Sequence, residues 1–103
     1  MSVSNKAIEF ALELFESLGS LTTRKMMGGL CLYLDGQIFG ILDSEGTIFL
    51  KAKGTFAGKM SAEGSRQFGP EDGGRMGYWT LPEAALDDPE EATNWARMAL
   101  ENL

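Results

Sequence analysis

Histidine is absent from the 103-residue chain. That absence removes Ser-His and Cys-His nucleophilic catalysis, the commonest acid/base at neutral pH, and most transition-metal sites. Cysteine occurs once, as Cys31, so no internal disulfide can form, and its place in an apolar run suits a small buried hydrophobe better than a reactive thiol. Long apolar runs are also missing. Gly, Asp or Lys interrupts each one well short of the roughly 18 residues a membrane helix needs, and no basic n-region precedes an apolar h-region. The expectation is a cytoplasmic protein with no membrane partner. Basic residues are scarce as well: nine Lys and Arg stand against fifteen Asp and Glu, for a net charge of −6 and a pI near 4.5. Direct binding to a phosphate backbone is disfavoured unless a basic patch is segregated on one face.

What is present fits one domain over residues 1–103, because 44% hydrophobic residues in a chain of this length can bury a core. Ser2 or Ser4 can cap a first helix. Ile8, Ala11, Leu12, Phe15 and Leu18 recur on one helical stripe, and Gly19 stops it. Residues 21–27 and 30–34 are β-capable. The pair Gly28-Gly29 between them predicts a bend in one long strand, or a place where a backbone or ligand comes close. Asp35-Gly36 predicts a two-residue hairpin turn into residues 37–42, whose nearly continuous apolar character suits a central strand. Residues 43–46 turn the chain again into a strand over 47–52.

Thr55 can cap a short helix ending near Ser61, with Phe56 and Met60 facing inward. The glycine-rich stretch 63–77 contains a short strand, Arg66-Gln67-Phe68, then an exposed GPEDGG loop, and a last strand spans 76–81. Pro82 ends that strand in a single turn. Asp88, Pro89, Glu90 and Glu91 then read as a helix start, with Ala92, Trp95, Ala96, Ala99 and Leu103 inward. The order is α-β-β-β-α-β-β-α. The simplest packing is a two-layer α+β domain, an antiparallel sheet of about five strands with helices on one face.

Taken together, Arg24-x-Met26-x-Gly28-Gly29-x-x-Leu32-Tyr33-x-Asp35-Gly36-x-x-Phe39, then Phe49-Leu50-Lys51, Tyr78-Trp79-x-x-Pro82 and Trp95-Ala96 resemble the TfoX N-terminal domain family. The resemblance runs from about Phe10 to Leu100. It implies a fold similar to the type III secretion chaperones, in the element order read above. It also implies a link to bacterial regulators of competence that act with a transcription activator and not as enzymes. Two departures stand out: Met27 occupies a position where the family often has Phe, and those regulators carry a second, C-terminal domain that has no counterpart up to Leu103.

Several residues are candidates for function. Arg24 and Lys25, beside Gly28-Gly29, can offer cations and backbone N–H groups to an anionic ligand or a partner's carboxylate. The two glycines are not a phosphate loop, since no Gly-Lys-Ser/Thr leads into a helix. A strand bend with a surface arginine, free or paired within the chain, is the plainer reading. Tyr78 and Trp79 must point to opposite faces of one strand, so one packs inside while the other, with Tyr33, can form a protein-binding patch or a stacking platform. The acidic residues lie in turns and helix caps, with no evident acid/base pair.

The expectation is therefore a non-enzymatic regulatory or adaptor domain, without cofactor or metal, that binds a protein partner such as a transcription regulator and can cover an open sheet edge by homodimerisation. The alternatives are a nucleic-acid-associated module using Arg24, Lys25, Lys51, Lys53, Lys59, Arg66 and Arg75 as one basic face, or an enzyme whose carboxylates gather with Arg24 in a pocket.

Overall fold

In a computed structural model, which describes residues 2–26, 28–68 and 77–103, Ser4 opens the first helix. Its hydroxyl accepts the Ala7 N–H at 3.1 Å, satisfying one of the donors that a helix start leaves unpaired. Helix α1 runs Asn5–Leu14, and a 3-10 turn, Glu16–Leu18, carries the chain to Gly19. Ala11, Leu14 and Phe15 are buried, with Ile8, Leu12 and Leu18 packed at the margin of the same core. The expected stripe is the inward one, with Leu14 added to it.

Five strands follow: β1 Leu21–Met26, β2 Gly29–Leu34, β3 Gln37–Leu42, β4 Ile48–Lys51 and β5 Tyr78–Thr80. They form an antiparallel sheet in that order. The reading of residues 21–34 as one long bent strand is corrected here. Met26 pairs with Gly29 and Leu21 with Leu34, so β1 and β2 are two arms of a hairpin that reverses between Met26 and Gly29. Gly28 has φ +86°, a left-handed conformation that costs little only for glycine. Gly29 has a different reason to lack a side chain: a Cβ there would run into the backbone carbonyl of Leu42 on β3. Folding back gives β1 a full ladder on β2, which continuing onward would forgo.

Asp35 and Gly36, both at positive φ, make the tight turn into β3 as expected. Four strands therefore precede the second helix and one follows it, against the expected three and two, although the total and the helix positions agree. Residues 66–68 are less than a strand. Gln67 forms a single bridge to Trp79, flanked by Phe68 N–H donating to the Tyr78 carbonyl at 2.8 Å and Thr80 N–H donating to the Arg66 carbonyl at 2.9 Å. The expected GPEDGG loop and the start of the last strand lie outside the described residues.

Helix α2, Gly54–Ala62, begins two residues earlier than a Thr55 cap would place it, with Lys53 at the cap and no side-chain cap bond, yet Phe56 and Met60 are inward as expected. Asp88 caps helix α3, Pro89–Glu101, accepting from Glu90 and Glu91 N–H at 3.1 and 3.3 Å. Ala92, Trp95, Ala96 and Ala99 are buried; Leu103, past the end of the helix, is 38% exposed and leaves the expected stripe. All three helices pack on the sheet face that carries Leu30, Leu32, Leu42, Ile48 and Leu50. Phe15 meets Phe39 edge-on at 5.5 Å, and Phe56 stacks at a tilt on Trp95 at 5.9 Å.

The far face is apolar too. Cys31, Ile41, Phe49 and Tyr78 form a second buried cluster, joined at its margin by Met26, Tyr33, Ile38 and Phe68. A register shift opposite Leu32 and Tyr33 allows it: Ile38 and Ile41, three residues apart, share the far face while Phe39 turns to the helices. Burial on both faces accounts for the nearly unbroken apolar sequence of β2 and β3.

Candidate functional site

The structure separates the residues singled out in the sequence. Arg24 and Lys25 are exposed on the edge strand β1, opposite Cys31 and Leu30 respectively, so they point to opposite faces of the sheet. Arg24 forms no ion pair with a carboxylate among the described residues. Gly28 and Gly29 serve the hairpin and the close approach to β3, and Val3 N–H donates to the Gly28 carbonyl at 2.7 Å, so the N-terminal segment borders the small hollow of about 210 Å³ beside them. Tyr33 and Tyr78 share the far-face cluster, with Tyr78 only 8% exposed. Trp79 lies on the other side, half-buried against the helix-side core and paired with Leu50. Alternation along the strand thus splits Tyr78 from Trp79 as expected, but Tyr78 is a core residue and not a platform.

The basic residues do not share one face. Beyond the split of Arg24 from Lys25, Lys59 lies on α2 with its Nζ 5.6 Å over the Trp95 ring and 3.5 Å from Met98 Sδ. Arg75 lies outside the described residues. Cys31 is buried with its Sγ 3.2 Å from Met26 Sδ, as suits a packing residue.

A larger concavity lies elsewhere, at the end of the sheet where four segments meet. Three local devices build it. Asp43 Oδ1 accepts the Glu45 and Thr47 N–H groups at 3.0 and 2.9 Å, curling the β3–β4 turn toward α1. At the end of α2, Ser65 N–H donates to the Met60 carbonyl at 3.1 Å, with Gly64 at φ +89°, turning the chain back sharply. Arg66 N–H then donates to Thr80 Oγ1 at 2.9 Å, and Leu81 N–H to the Ile48 carbonyl at 2.9 Å, which brings the start of the Pro82–Leu86 stretch alongside.

The result is a cleft of about 520 Å³ between Phe10 of α1, the turn at Glu45–Thr47, the Glu63–Arg66 return and Leu86. Ile48 and Leu81, buried, form its apolar floor. Phe10 and Leu86, 46% and 38% exposed, stand on its rim, and with Leu103 they are the chain's exposed large hydrophobic side chains among the described residues. Glu45, Glu63 and Glu83 line it against one cation, Arg66. A second hollow of about 350 Å³ shares Glu45, Thr47, Arg66 and Thr80 and continues to Phe49 and Phe68.

Of the residues lining this cleft, the sequence singled out Arg66 alone, and as part of a basic face rather than of a cleft. Phe10 carried a usable signal, an aromatic residue off the helical stripe defined by Ile8, Ala11, Leu12 and Phe15; the glutamates carried none, since each reads as ordinary solvated charge. Chemically, the site pairs apolar contact with negative charge. Among the described residues no group of three His, Cys, Asp or Glu side chains is disposed to hold a metal ion, and Glu45, Glu63 and Glu83 are no exception.

Comparison with curated proteins yields no match. The family model of the TfoX N-terminal domain matches residues 13–103, nearly the whole chain and all five strands of the sheet, and the chain accordingly belongs to the TfoX N-terminal domain family.

Proposed function

We propose that this chain is a non-enzymatic regulatory or adaptor domain that works by binding another protein, in bacterial transcription regulation related to competence and in the cytoplasm. Family membership supports the competence link. The observation that carries the binding role is the cleft at the sheet end, where two large apolar side chains, Phe10 and Leu86, stand exposed around a preformed apolar floor. A nucleic-acid role finds no comparable support, because Arg24 and Lys25 face opposite ways and Lys59 is engaged with Trp95 and Met98.

The surface to probe is Phe10, not Trp79. Truncating Trp79 would remove packing from the helix-side core, so loss of a partner from that variant would not separate binding from folding. A photo-crosslinking amino acid placed at position 10 in the native cell tests the reading directly, with position 22, on the exposed β1 edge, as the control. A discrete protein adduct from position 10 and not from position 22 is expected. Absence of any protein adduct from positions 10, 24, 33 and 86 refutes the binding role. Self-association is a separate matter. The outer edge of β5 is already bonded to residues 66–68, which leaves β1 as the edge for a second copy, and Arg24 and Lys25 there oppose pairing with an identical strand. Light scattering across a concentration series measures it.

A further inference from the structure

We propose that the sheet-end cleft takes a short cationic and apolar segment of a partner polypeptide, with its apolar side chain seated between Phe10 and Leu86 and its Lys or Arg side chains directed to Glu45, Glu63 and Glu83. This rests on the protein-binding reading and adds the chemistry of the partner.

Charge is the first argument. Three carboxylates from three separate segments line one concavity against a single guanidinium, and none of the three has an ion-pair partner among the described residues. An acidic ligand would meet uncompensated repulsion there, whereas a cationic one would be attracted over the whole mouth of the cleft. The second argument is local. Glu63 is the C-cap residue of α2, at the negative end of the helix dipole, where a carboxylate is unfavourable and a cation is the usual choice. Lys59, the basic residue in the last turn, carries its Nζ over the Trp95 ring and toward Met98 Sδ, and Glu63 has no ion-pair partner among the described residues. A local rule broken without structural gain is a mark of function, and the cleft is what Glu63 faces.

Apolar contact is the third. Phe10 lies off the buried stripe of α1, and Leu86 follows the 3-10 turn Glu83–Ala85, yet the fold brings both to one rim above buried Ile48 and Leu81. A large aromatic and an aliphatic side chain around a preformed floor offer an anchor site for one side chain of a partner, with charge at the rim to orient it. The volume of about 520 Å³ is the size of a pocket for a few side chains and not of a docking face for a folded domain.

Nuclear magnetic resonance titration of the full 103-residue chain tests the proposal with two probes: a glycine-serine peptide carrying leucines and arginines, and its counterpart with each arginine replaced by glutamate. The cationic peptide is expected to shift the amides of Glu45, Thr47, Glu63, Ser65, Leu81 and Leu86, more weakly as salt is raised. Phe10→Ser is expected to weaken it roughly tenfold. Glu63→Gln and Glu83→Gln are expected to weaken it about threefold each, the size of an exposed charge pair. All three side chains are exposed, and unchanged thermal midpoints confirm that the variants fold.

Equal binding of the glutamate peptide, shifts confined to another surface, displacement of the peptide by a short single-stranded RNA, or no shifts from either peptide overturns the proposal. If the peptides fail while the crosslink from position 10 persists, the assigned chemistry is wrong and the protein-binding reading stands. If both fail, the reading falls with it.

Discussion

Replacing Gly29 by alanine tests the hairpin at the centre of this fold. The new methyl would meet the Leu42 carbonyl oxygen and lie 3.4 Å from Asp43 Cα, both backbone atoms of the neighbouring chain segment, so no side-chain rotation can make room. β2 and β3 must separate where Leu30 pairs with Leu42, in a region where both side chains are at most 2% exposed. Overpacking a buried site costs about 1–3 kcal/mol, and a weakened ladder bond adds about 1 kcal/mol, for a loss of about 2–4 kcal/mol. For a domain of this size that lowers the thermal midpoint by roughly 10–25 °C. Urea and thermal denaturation followed by circular dichroism measure it. Gly58→Ala is the control: Gly58 is an exposed position within α2 with no atom of the described residues within 4 Å of its missing Cβ, and the substitution there should stabilise by about 0.5–1 kcal/mol. A Gly29→Ala protein with the wild-type midpoint would show that β2 and β3 do not approach as closely as described, and the account of the glycine pair would fail.

Thr93, 3% exposed on α3, has an Oγ1 with no hydrogen-bond partner among the described residues, so Thr93→Val should raise stability by about 1 kcal/mol; a drop in the denaturation midpoint would reveal a partner for that hydroxyl. Asp88→Ala leaves the Glu90 and Glu91 N–H groups uncapped and should cost about 0.5–2 kcal/mol, whereas Asp88→Asn should largely keep the cap; equal losses in the two variants would mean that charge and not hydrogen bonding matters there. Burial first, and then the neighbouring Cys31 and Tyr33, push the Tyr78 phenol above its ordinary 10.0. The folded chain then holds a proton that the unfolded chain has released, so this contribution is intact below pH 10 and is lost as pH rises through 10 and beyond. Tyr78→Phe should therefore gain stability relative to wild type between about pH 9 and about pH 11, and a difference independent of pH would contradict the burial of the phenol.

Much of the fold is written in local chemistry. Ser4 and Asp88 accept from the N–H groups they precede, Asp35-Gly36 supplies the two positive φ angles of a tight turn, and β3 reads as central because it is buried on both sides. These depend on neighbours within a few residues, which a sequence displays. The family resemblance drawn from spaced residues such as Arg24, Gly28, Tyr33 and Trp95 holds as well, with the family model matching residues 13–103. Leu103 was misread because stripe periodicity continues on paper past the point where the helix ends.

Gly28-Gly29 shows where the sequence stopped being sufficient. A glycine pair between two β-capable runs is compatible with a bend, a bulge or a reversal, and the choice was made by β1 gaining a ladder on β2 and by the Leu42 carbonyl crowding Gly29 from a strand thirteen residues away. The cleft lay further out of reach. Its walls come from α1, the β3–β4 turn, the end of α2 and the stretch after β5, and its charge arises only when Glu45, Glu63 and Glu83 are brought together. The sequence by itself determined the helices, the cap of α3 and the apolar character of the sheet, because these are near-neighbour properties of the chain. Tertiary structure alone decided that Tyr78 is buried, that Phe10 and Leu86 share a rim and that three glutamates share a concavity, because convergence is a property of packing between distant segments.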